Sequence, residues 1–317
     1  MNNKEGDIRK NNIRNKFKQF FGKKKNIIAF LTFILIVLFA FTGKLICGHE
    51  YDECFKGYEC LEPLWQRDTN LANHFILGTD FLGRDMVARL SKATQISLLV
   101  GLFSSAIVCL KGVVLGLLSG YIGGKIDKII VRYSEIIYCI PDVLIVILLS
   151  SVLNPILSNY INNHIGEPFA DFLYEIGSSI IGILLAFYLI YWVNVFKIVR
   201  GQVILIKNME YVKISKMSGG KHGYILKKHI LPNILPTVIT TTFLQIPVVI
   251  FLESFLSFLG LGINASLTSL GALASDGMNY IYSKTYLLME PIVMMGILVF
   301  SLNVIGMGIR EVFNGES

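Results

Sequence analysis

The chain has 317 residues, of which 53% are hydrophobic and only 16% charged, and its formal net charge is +7. A soluble globular domain carries about one-quarter charged residues, so this composition excludes an ordinary soluble protein and indicates an integral membrane protein. The basic residues lie in clusters between long apolar segments rather than on the face of a soluble module, which excludes a nucleic-acid-binding function.

Six long apolar stretches follow one another along the chain. Each is close to the ~20 residues that a helix needs to cross the ~30 Å hydrocarbon core of a bilayer. They are continuous in Leu, Ile, Val and Phe instead of alternating, which favours helices over the strands of a barrel. The sequence therefore predicts an all-α, polytopic membrane protein with six transmembrane helices, at about residues 26–46, 95–121, 131–153, 179–199, 234–260 and 285–308.

The polar segments between these stretches predict a one-plus-five organisation. Lys44 follows the first apolar run and no A-x-A cleavage site appears there, so this run is predicted to be an uncleaved span. The predicted units are a cationic cytoplasmic tail (1–25), a first transmembrane helix (26–47), an extracytoplasmic segment (48–94), a transmembrane core (95–310) and a cytoplasmic tail (311–317).

The distribution of charge predicts the orientation. Lysine and arginine are concentrated before the first span, after the second span and between the fourth and fifth spans, whereas the 154–178 connection has acids but neither Lys nor Arg. Cytoplasmic loops carry an excess of Lys and Arg. The 122–130 loop, the 201–233 loop and both termini are therefore predicted to be cytoplasmic.

Three patterns bear on chemistry. Gly112, Gly116 and Gly120 form a ridge of small residues on the second span, and this pattern predicts close helix packing and no further activity. Cys54 and Cys60 fall in the extracytoplasmic segment, where a disulfide is possible but not required by the sequence. The cysteines have no zinc-type spacing and the chain has no GxxxxGK[ST] motif, so neither a metal site nor a bound nucleotide is predicted.

The ionisable residues Lys111, Asp142 and Glu253 are among those that lie within or beside apolar spans. A charge at membrane depth costs roughly 2.5–3.5 kcal/mol on insertion scales, so such groups usually face a cavity or a partner. They are candidates for a solute pathway or for pairs across helices. The alternative is that Lys111 extends its amine to the interface and that the acids lie near helix ends.

The cytoplasmic stretch EYVKISKMSGGKHGYILKKHILPN begins at Glu210. Asn208 is predicted to cap a short helix over residues 209–218, and Gly219 and Gly220 are predicted to end it in a left-handed conformation. A second surface helix is expected near Tyr224–Ile230, and Pro232 and Pro236 are expected to open the next span. The sequence thus predicts a rigid helical projection on the cytoplasmic face.

This stretch resembles the EAA loop of ATP-binding-cassette (ABC) importer permeases. The matching positions are Glu210, Tyr211, the triplet Lys213-Ile214-Ser215, Gly219, and Ile230-Leu231-Pro232. The triplet departs from the family pattern, because lysine replaces the acid and Ile and Ser replace two alanines.

Further stretches are similar to the C-type subunit of oligopeptide, dipeptide and nickel importers. "LGTDFLGRD" matches a GTDxxGRD signature at Gly78, Thr79, Asp80, Gly83, Arg84 and Asp85. "ESFLSFLGLG" from Glu253 resembles the ending of the family's fifth span, although Leu270-Gly271 replaces the usual Trp-Gly. The match extends over roughly residues 75–280.

The resemblance implies a non-catalytic permease subunit in the plasma membrane of a bacterium. It implies a homologous second permease, two cytoplasmic ATPases that use ATP and Mg, and an extracytoplasmic substrate-binding protein as partners. The Glu210 loop would be the coupling helix between the fourth and fifth spans. Peptide is the expected substrate, and nickel or another small solute is the alternative. A gradient-driven transporter also explains the hydropathy and the buried charges, but not the loop followed by Ile-Leu-Pro.

Overall fold

The computed structural model describes residues 16, 18–66, 75–262 and 268–314. Within these ranges the backbone forms helices, turns and an isolated antiparallel β-bridge between Thr79 and Asp85. The helices are α1 (Lys24–Cys47), α2 (Met86–Ile122), α3 (Gly124–Tyr138), α4 (Asp142–Asn163), α5 (Pro168–Ile176), α6 (Ser178–Ile190), α7 (Trp192–Lys207), α8 (Glu210–Met217), α9 (His222–Ile225), α10 (Leu231–Phe258), α11 (Leu270–Met278) and α12 (Tyr286–Asn314). A 3-10 turn covers Leu64–Gln66 and a π-helical turn covers Leu226–Ile230.

Six helical segments of the described chain are long and apolar enough to cross a membrane. They are α1, α2, α4, the pair α6 and α7, the continuous run from α9 to α10, and α12. The predicted all-α, polytopic class with six spans is therefore confirmed. Most of the predicted N-terminal tail, residues 1–15, and residues 315–317 of the C-terminal tail lie outside the described residues.

The second span starts earlier than the sequence predicted, since α2 begins at Met86 and the predicted boundary at residue 95 falls inside it. Asp85 starts this helix because its carboxylate accepts a hydrogen bond from the Val87 N–H at 2.7 Å. Hydropathy missed these turns because it counts Arg89 as exposed charge, whereas Arg89 is buried.

The bounds predicted for the third span, residues 131–153, are wrong. The helix breaks between Tyr138 and Asp142, and α4 is the segment long enough to cross a membrane. Pro141 at the break has no N–H to donate, and its ring disfavours the helical conformation at the preceding residue. The apolar composition continues across the proline, so hydropathy alone could not locate the break.

The glycine ridge packs α2 against α7. A Cβ atom added at Gly112, Gly116 or Gly120 would lie 2.6–2.8 Å from the Cβ of a valine on α7. The three valines are Val195, Val199 and Val203, which recur every four residues and are buried. The two backbones approach this closely only because the glycines lack side chains, so the interpretation of the ridge as a packing surface is confirmed.

Both ends of the described chain lie on the same side of the bundle. Lys23 and Lys25, at the start of α1, form ion pairs with Glu311 near the end of α12, at 3.1 and 2.8 Å. On the opposite side, Lys284 before α12 pairs with Glu62 of the long α1–α2 connection at 2.7 Å. A chain with an even number of spans begins and ends on the same side of the bundle, as it does here.

Candidate functional site

The segment between α7 and α10 forms a short, sharply terminated helix. Helix α8 is followed by Ser218 and then by Gly219, whose φ is +80°. The Gly220 N–H donates to the Ser215 carbonyl at 3.0 Å, and the Gly219 N–H donates to the Lys216 carbonyl at 3.2 Å. This pair of bonds is a Schellman motif, which satisfies the last carbonyls of a helix and favours glycine at the left-handed position.

The start of α8 differs from the prediction. Met209 is its N-cap residue, and the Asn208 side chain donates from Nδ2 to the Ile204 carbonyl at 3.0 Å. Asn208 thus ends α7 and does not cap α8, so its predicted role is wrong. Glu210 remains in the first turn of α8, where the positive end of the helix dipole favours a carboxylate.

The expected second surface helix is continuous with the fifth span. The run from α9 through the π-helical turn to α10 is unbroken, and the Leu231 N–H donates to the carbonyl of Leu226, five residues earlier. Pro232 lies in the first turn of α10, as expected, whereas Pro236 lies inside the helix. Movement of this segment is therefore coupled directly to a membrane-spanning helix.

Three buried apolar side chains hold α8 against the bundle. Val212 from α8, Ile225 from α9 and Ile230 from the π-helical turn belong to the same core cluster as residues of α2 and α7. Asn233 at the start of α10 donates from Nδ2 to the Tyr211 hydroxyl at 3.2 Å. Helix α8 is thus fixed to two membrane-spanning segments, so a force on α8 reaches both.

The outer face of α8 is apolar and exposed. Tyr211, Ile214 and Met217, spaced by three residues, are 44%, 62% and 88% exposed. Glu210 and Lys213 are exposed beside them, and Ser215 is half-buried. Leu231 and Pro232 of the predicted site are also exposed, whereas Ile230 is buried. An exposed stripe on a short, anchored helix can insert into a groove on another protein.

On the opposite side of the bundle, the GTDFLGRD segment (residues 78–85) folds around Asp80. One carboxylate oxygen of Asp80 accepts the N–H groups of Leu82 and Arg84 at 2.8 and 2.9 Å. The other accepts the Arg84 guanidinium at 2.7 Å and also binds Arg89 of α2. Arg89 also contacts Asp276 of α11 at 3.3 Å. Asp80 therefore joins the α1–α2 connection to α2 and, through Arg89, to α11.

The other signature residues hold the same fold. A Cβ at Gly78 would lie 2.2 Å from the Leu61 carbonyl oxygen, and both Gly78 and Gly83 have positive φ. The Thr79 hydroxyl accepts the Leu61 N–H at 2.9 Å. Asp85, besides capping α2, lies 2.9 Å from Nδ1 of His49. The signature thus stabilises the fold of the α1–α2 connection, and sequence reasoning did not identify His49, Arg89 or Asp276 as its partners.

All five cysteine thiols are unpaired, so the structure contains no Cys54–Cys60 disulfide. Among the described residues, no group of three or more His, Cys, Asp or Glu side chains could hold a metal ion.

Glu253 is completely buried in α10 and is bonded to hydroxyl groups. Ser97 of α2 donates to its carboxylate at 3.0 Å, and Ser257 donates at 2.8 Å. The Ser97 oxygen in turn accepts the N–H of Leu270, the first residue of α11, at 3.3 Å. This geometry matches a contact across helices, which is one of the roles that the sequence predicted for Glu253.

Asp142 is the first residue of α4 and borders a cavity of about 450 Å³ at the α3–α4 break. Tyr191 donates its hydroxyl to the Asp142 carboxylate at 3.1 Å, and Asn194 also lines the cavity. The exposed Asp142 carboxylate borders this cavity, so Asp142 stays a candidate for contact with a solute.

Lys111 belongs to α2, and its side chain contacts the α6–α7 segment. Its ammonium donates to the Tyr188 carbonyl at 3.0 Å and lies over the rings of Tyr188 and Trp192, at 4.1 and 5.1 Å from their centroids. No carboxylate among the described residues forms an ion pair with it. The electron-rich ring faces stabilise the cation in place of an acid.

We expect Lys111→Met to lower the free energy of unfolding by about 1 kcal/mol, because the cation–π contacts are lost while the aliphatic stem is kept. Thermal unfolding of the detergent-solubilised chain would measure this, and Lys111→Arg should restore most of the loss. Transport per assembled molecule should not change. A transport defect in a fully assembled Lys111→Met complex would instead place Lys111 in the solute pathway.

A further ion pair, not anticipated from the sequence, joins the middle of α7 to α3. The Arg200 guanidinium binds both carboxylate oxygens of Asp127 in α3, at 2.6 and 2.7 Å. These bonds hold the pKa of Asp127 at about 2, below its ordinary value of 3.8. Because the folded-state pKa is lowered, this stabilisation is present above pH ~4 and is lost only as the pH falls towards 2.

The structure therefore combines an anchored α8 with an exposed apolar face, a folded α1–α2 connection and a bundle of membrane-spanning helices. The model of the family described as "Binding-protein-dependent transport system inner membrane component" matches residues 112–315. The chain belongs to this family. The match covers the helices from the second half of α2 to the end of α12, and it includes α8.

Curated members of related systems align over nearly the whole chain. The "Oligopeptide transport system permease protein OppC" of Bacillus subtilis (strain 168) is 33% identical over 293 residues, 92% of this chain and 86% of the relative. The "Dipeptide transport system permease protein DppC" of the same strain is 37% identical over 292 residues, 91% of this chain and 82% of the relative. The OppC protein of Escherichia coli (strain K12) is 31% identical, over 93% of this chain and 88% of the relative.

Proposed function

We propose that this chain is a peptide-translocating permease subunit of an ABC importer. Membership of the inner-membrane-component family and likeness to permeases named for oligopeptide and dipeptide transport support the class and the substrate. The observation that carries the mechanism is the anchored helix α8 with its exposed Tyr211, Ile214 and Met217. A permease that is driven by a separate ATPase needs a surface that contacts the ATPase.

In the proposed mechanism, α8 is the coupling helix. Its exposed stripe docks in a groove on a cytoplasmic ATPase, which binds ATP and Mg, while this chain binds no cofactor. Val212 and the Tyr211–Asn233 bond transmit the displacement of α8 to α7 and α10. The proposed assembly contains this chain, a homologous second permease, two ATPases and an extracytoplasmic substrate-binding protein, all at the bacterial plasma membrane.

The test is reconstitution of the complete complex in vesicles. We expect labelled tri- to pentapeptides to enter the lumen only with ATP, Mg and the substrate-binding protein, and unlabelled peptide but not Ni²⁺ to compete. Isolation of this chain without any ATPase, combined with uptake driven by an ion gradient, would contradict the proposal. Competition by Ni²⁺ and not by peptide would assign the complex to the nickel branch of the family.

The proposed orientation places both termini and α8 in the cytoplasm. Lys and Arg are concentrated before the first span and around α8, which supports this orientation. We expect a reporter enzyme that is active only in the cytoplasm to be active when fused after Lys207 and inactive when fused after Glu62. Equal activity of the two fusions would contradict the six-span topology, and exchanged activities would reverse its orientation.

A further inference from the structure

A cavity of about 620 Å³ lies where α2, α7, α8 and α9 meet at the proposed cytoplasmic side of the bundle. It lies on the bundle-facing side of α8, and its rim holds the lysines Lys207, Lys213 and Lys216 together with His222. The described residues that line it include no carboxylate. A cavity with this charge favours an anionic ligand.

The site is held together by Tyr121, the penultimate residue of α2. The Tyr121 hydroxyl shares a hydrogen bond with Nδ1 of His222 at 2.8 Å, and Lys207 donates to the Tyr121 carbonyl. Lys207 and His222 are thus fixed in position, whereas Lys213 and Lys216 are exposed on α8. The cavity therefore offers one ligand two fixed side chains, those of Lys207 and His222. It also offers the exposed ammonium groups of Lys213 and Lys216, which can move to meet the ligand.

One wall of the cavity is apolar and continues along a membrane-spanning helix. Leu118 and Ile122 line the cavity from α2. Leu110 and Val114 precede them at four-residue intervals, and all four side chains are between 42% and 67% exposed. This exposed stripe extends for ~18 Å along the helix axis, from the cavity into the region of the hydrocarbon core.

We propose that this cavity binds an anionic phospholipid from the cytoplasmic leaflet. The phosphate group contacts Lys213, Lys216 and His222, and an acyl chain follows the stripe from Ile122 towards Leu110. Basic pockets between membrane-spanning helices on the cytoplasmic side suit such headgroups. An acidic segment of a soluble ATPase could match the lysines but would not reach the apolar stripe at membrane depth.

The bound lipid would join α8 to the end of α2. Lys213 and Lys216 belong to α8, and the apolar wall belongs to α2, so one ligand contacts both the proposed coupling helix and a membrane-spanning helix. Coupling to the ATPase would then depend on the anionic lipid content of the membrane. This inference adds a ligand and a regulatory input to the proposed function.

Lipid retention by the purified full-length chain, without ATPases, tests the inference separately from transport. Native mass spectrometry would count bound phosphatidylglycerol and phosphatidylcholine across a titration of each. We expect one phosphatidylglycerol to be retained at concentrations where phosphatidylcholine is not. The double variant Lys213→Gln, Lys216→Gln should weaken this retention by about thirtyfold, or roughly fivefold per lysine.

The matched control is Lys221→Gln, Lys227→Gln, which removes the same charge from exposed positions outside the cavity. It should retain phosphatidylglycerol as the unmodified chain does. Leu118→Trp, which fills the cavity without a change of charge, should also weaken retention. Equal retention by the cavity and control variants would overturn the inference. If the chain retains neither lipid, and the cavity variant instead loses its ATPase on purification, the site belongs to the ATPase interface.

Discussion

Replacement of Asp80 by alanine is expected to destabilise the folded chain by about 3–5 kcal/mol, the cost of leaving a buried charge without its partner. The side chains of Asp80 and Arg89 are 3% and 2% exposed, so their ion pair is almost completely buried. Without Asp80, the partners that Arg89 keeps among the described residues are Asp276 at 3.3 Å and Thr268 at 3.4 Å. The turn at residues 82–84 also loses the carboxylate that accepts its N–H groups.

Thermal unfolding of the detergent-solubilised chain, followed by size-exclusion chromatography, measures this effect. Asp276→Ala is the matched control, because it removes an acid from the same guanidinium at a position that is 34% exposed. We expect a much smaller loss for that variant, since Arg89 keeps its ion pair with Asp80 and solvent already screens the partly exposed Asp276. The pair Asp80→Ala, Arg89→Met should recover part of the stability, because no unpaired buried charge remains. Equal stability of the Asp80→Ala and Asp276→Ala variants would contradict the role given to Asp80.

Hydropathy predicted the six spans because burial in lipid depends mainly on composition. It failed where a charge is neutralised by a distant partner or where one residue interrupts the backbone. Arg89 made the first turns of α2 look like a loop, although Asp80 pairs with it in the folded chain. Pro141 separates α3 from α4 within a run that is apolar on both sides. A hydropathy average over about twenty residues detects neither the distant ion pair nor the interruption of the helix.

The candidate site was predictable where backbone geometry restricts the residue type. A glycine was expected at the end of α8, and Gly219 occupies the left-handed position there. The ridge Gly112-Gly116-Gly120 was expected at a helix contact for a similar reason. Contacts made by side chains across helices were not predictable, because they depend on how the helices pack. Lys111 over Tyr188 and Ser97 on Glu253 are examples.

Gly219→Val is expected to reduce peptide-stimulated ATP hydrolysis by the reconstituted complex at least tenfold. A Cβ at Gly219 would meet no atom within 4 Å, so the cost comes from the backbone alone. At φ +80° a non-glycine residue costs roughly 1–2 kcal/mol, and more for a β-branched one. We expect the chain to relieve this strain by giving up the Schellman bonds from Gly219 and Gly220, which shifts the end of α8. A loss of ~1.4 kcal/mol in the free energy of docking between α8 and the ATPase already weakens their binding tenfold.

Two variants separate this conformational effect from the added bulk. Gly223→Val places the same side chain four residues later, also with no atom within 4 Å but without a positive φ, and coupling should be close to normal. Gly219→Asn should retain much of the coupling, because asparagine tolerates the left-handed conformation. The core contacts of Val212, Ile225 and Ile230 are untouched in all three variants, so membrane insertion and copurification of the second permease should be unchanged. Normal peptide uptake and normal ATPase stimulation in Gly219→Val would mean that the end of α8 is only a connection, and the coupling mechanism would have to be abandoned.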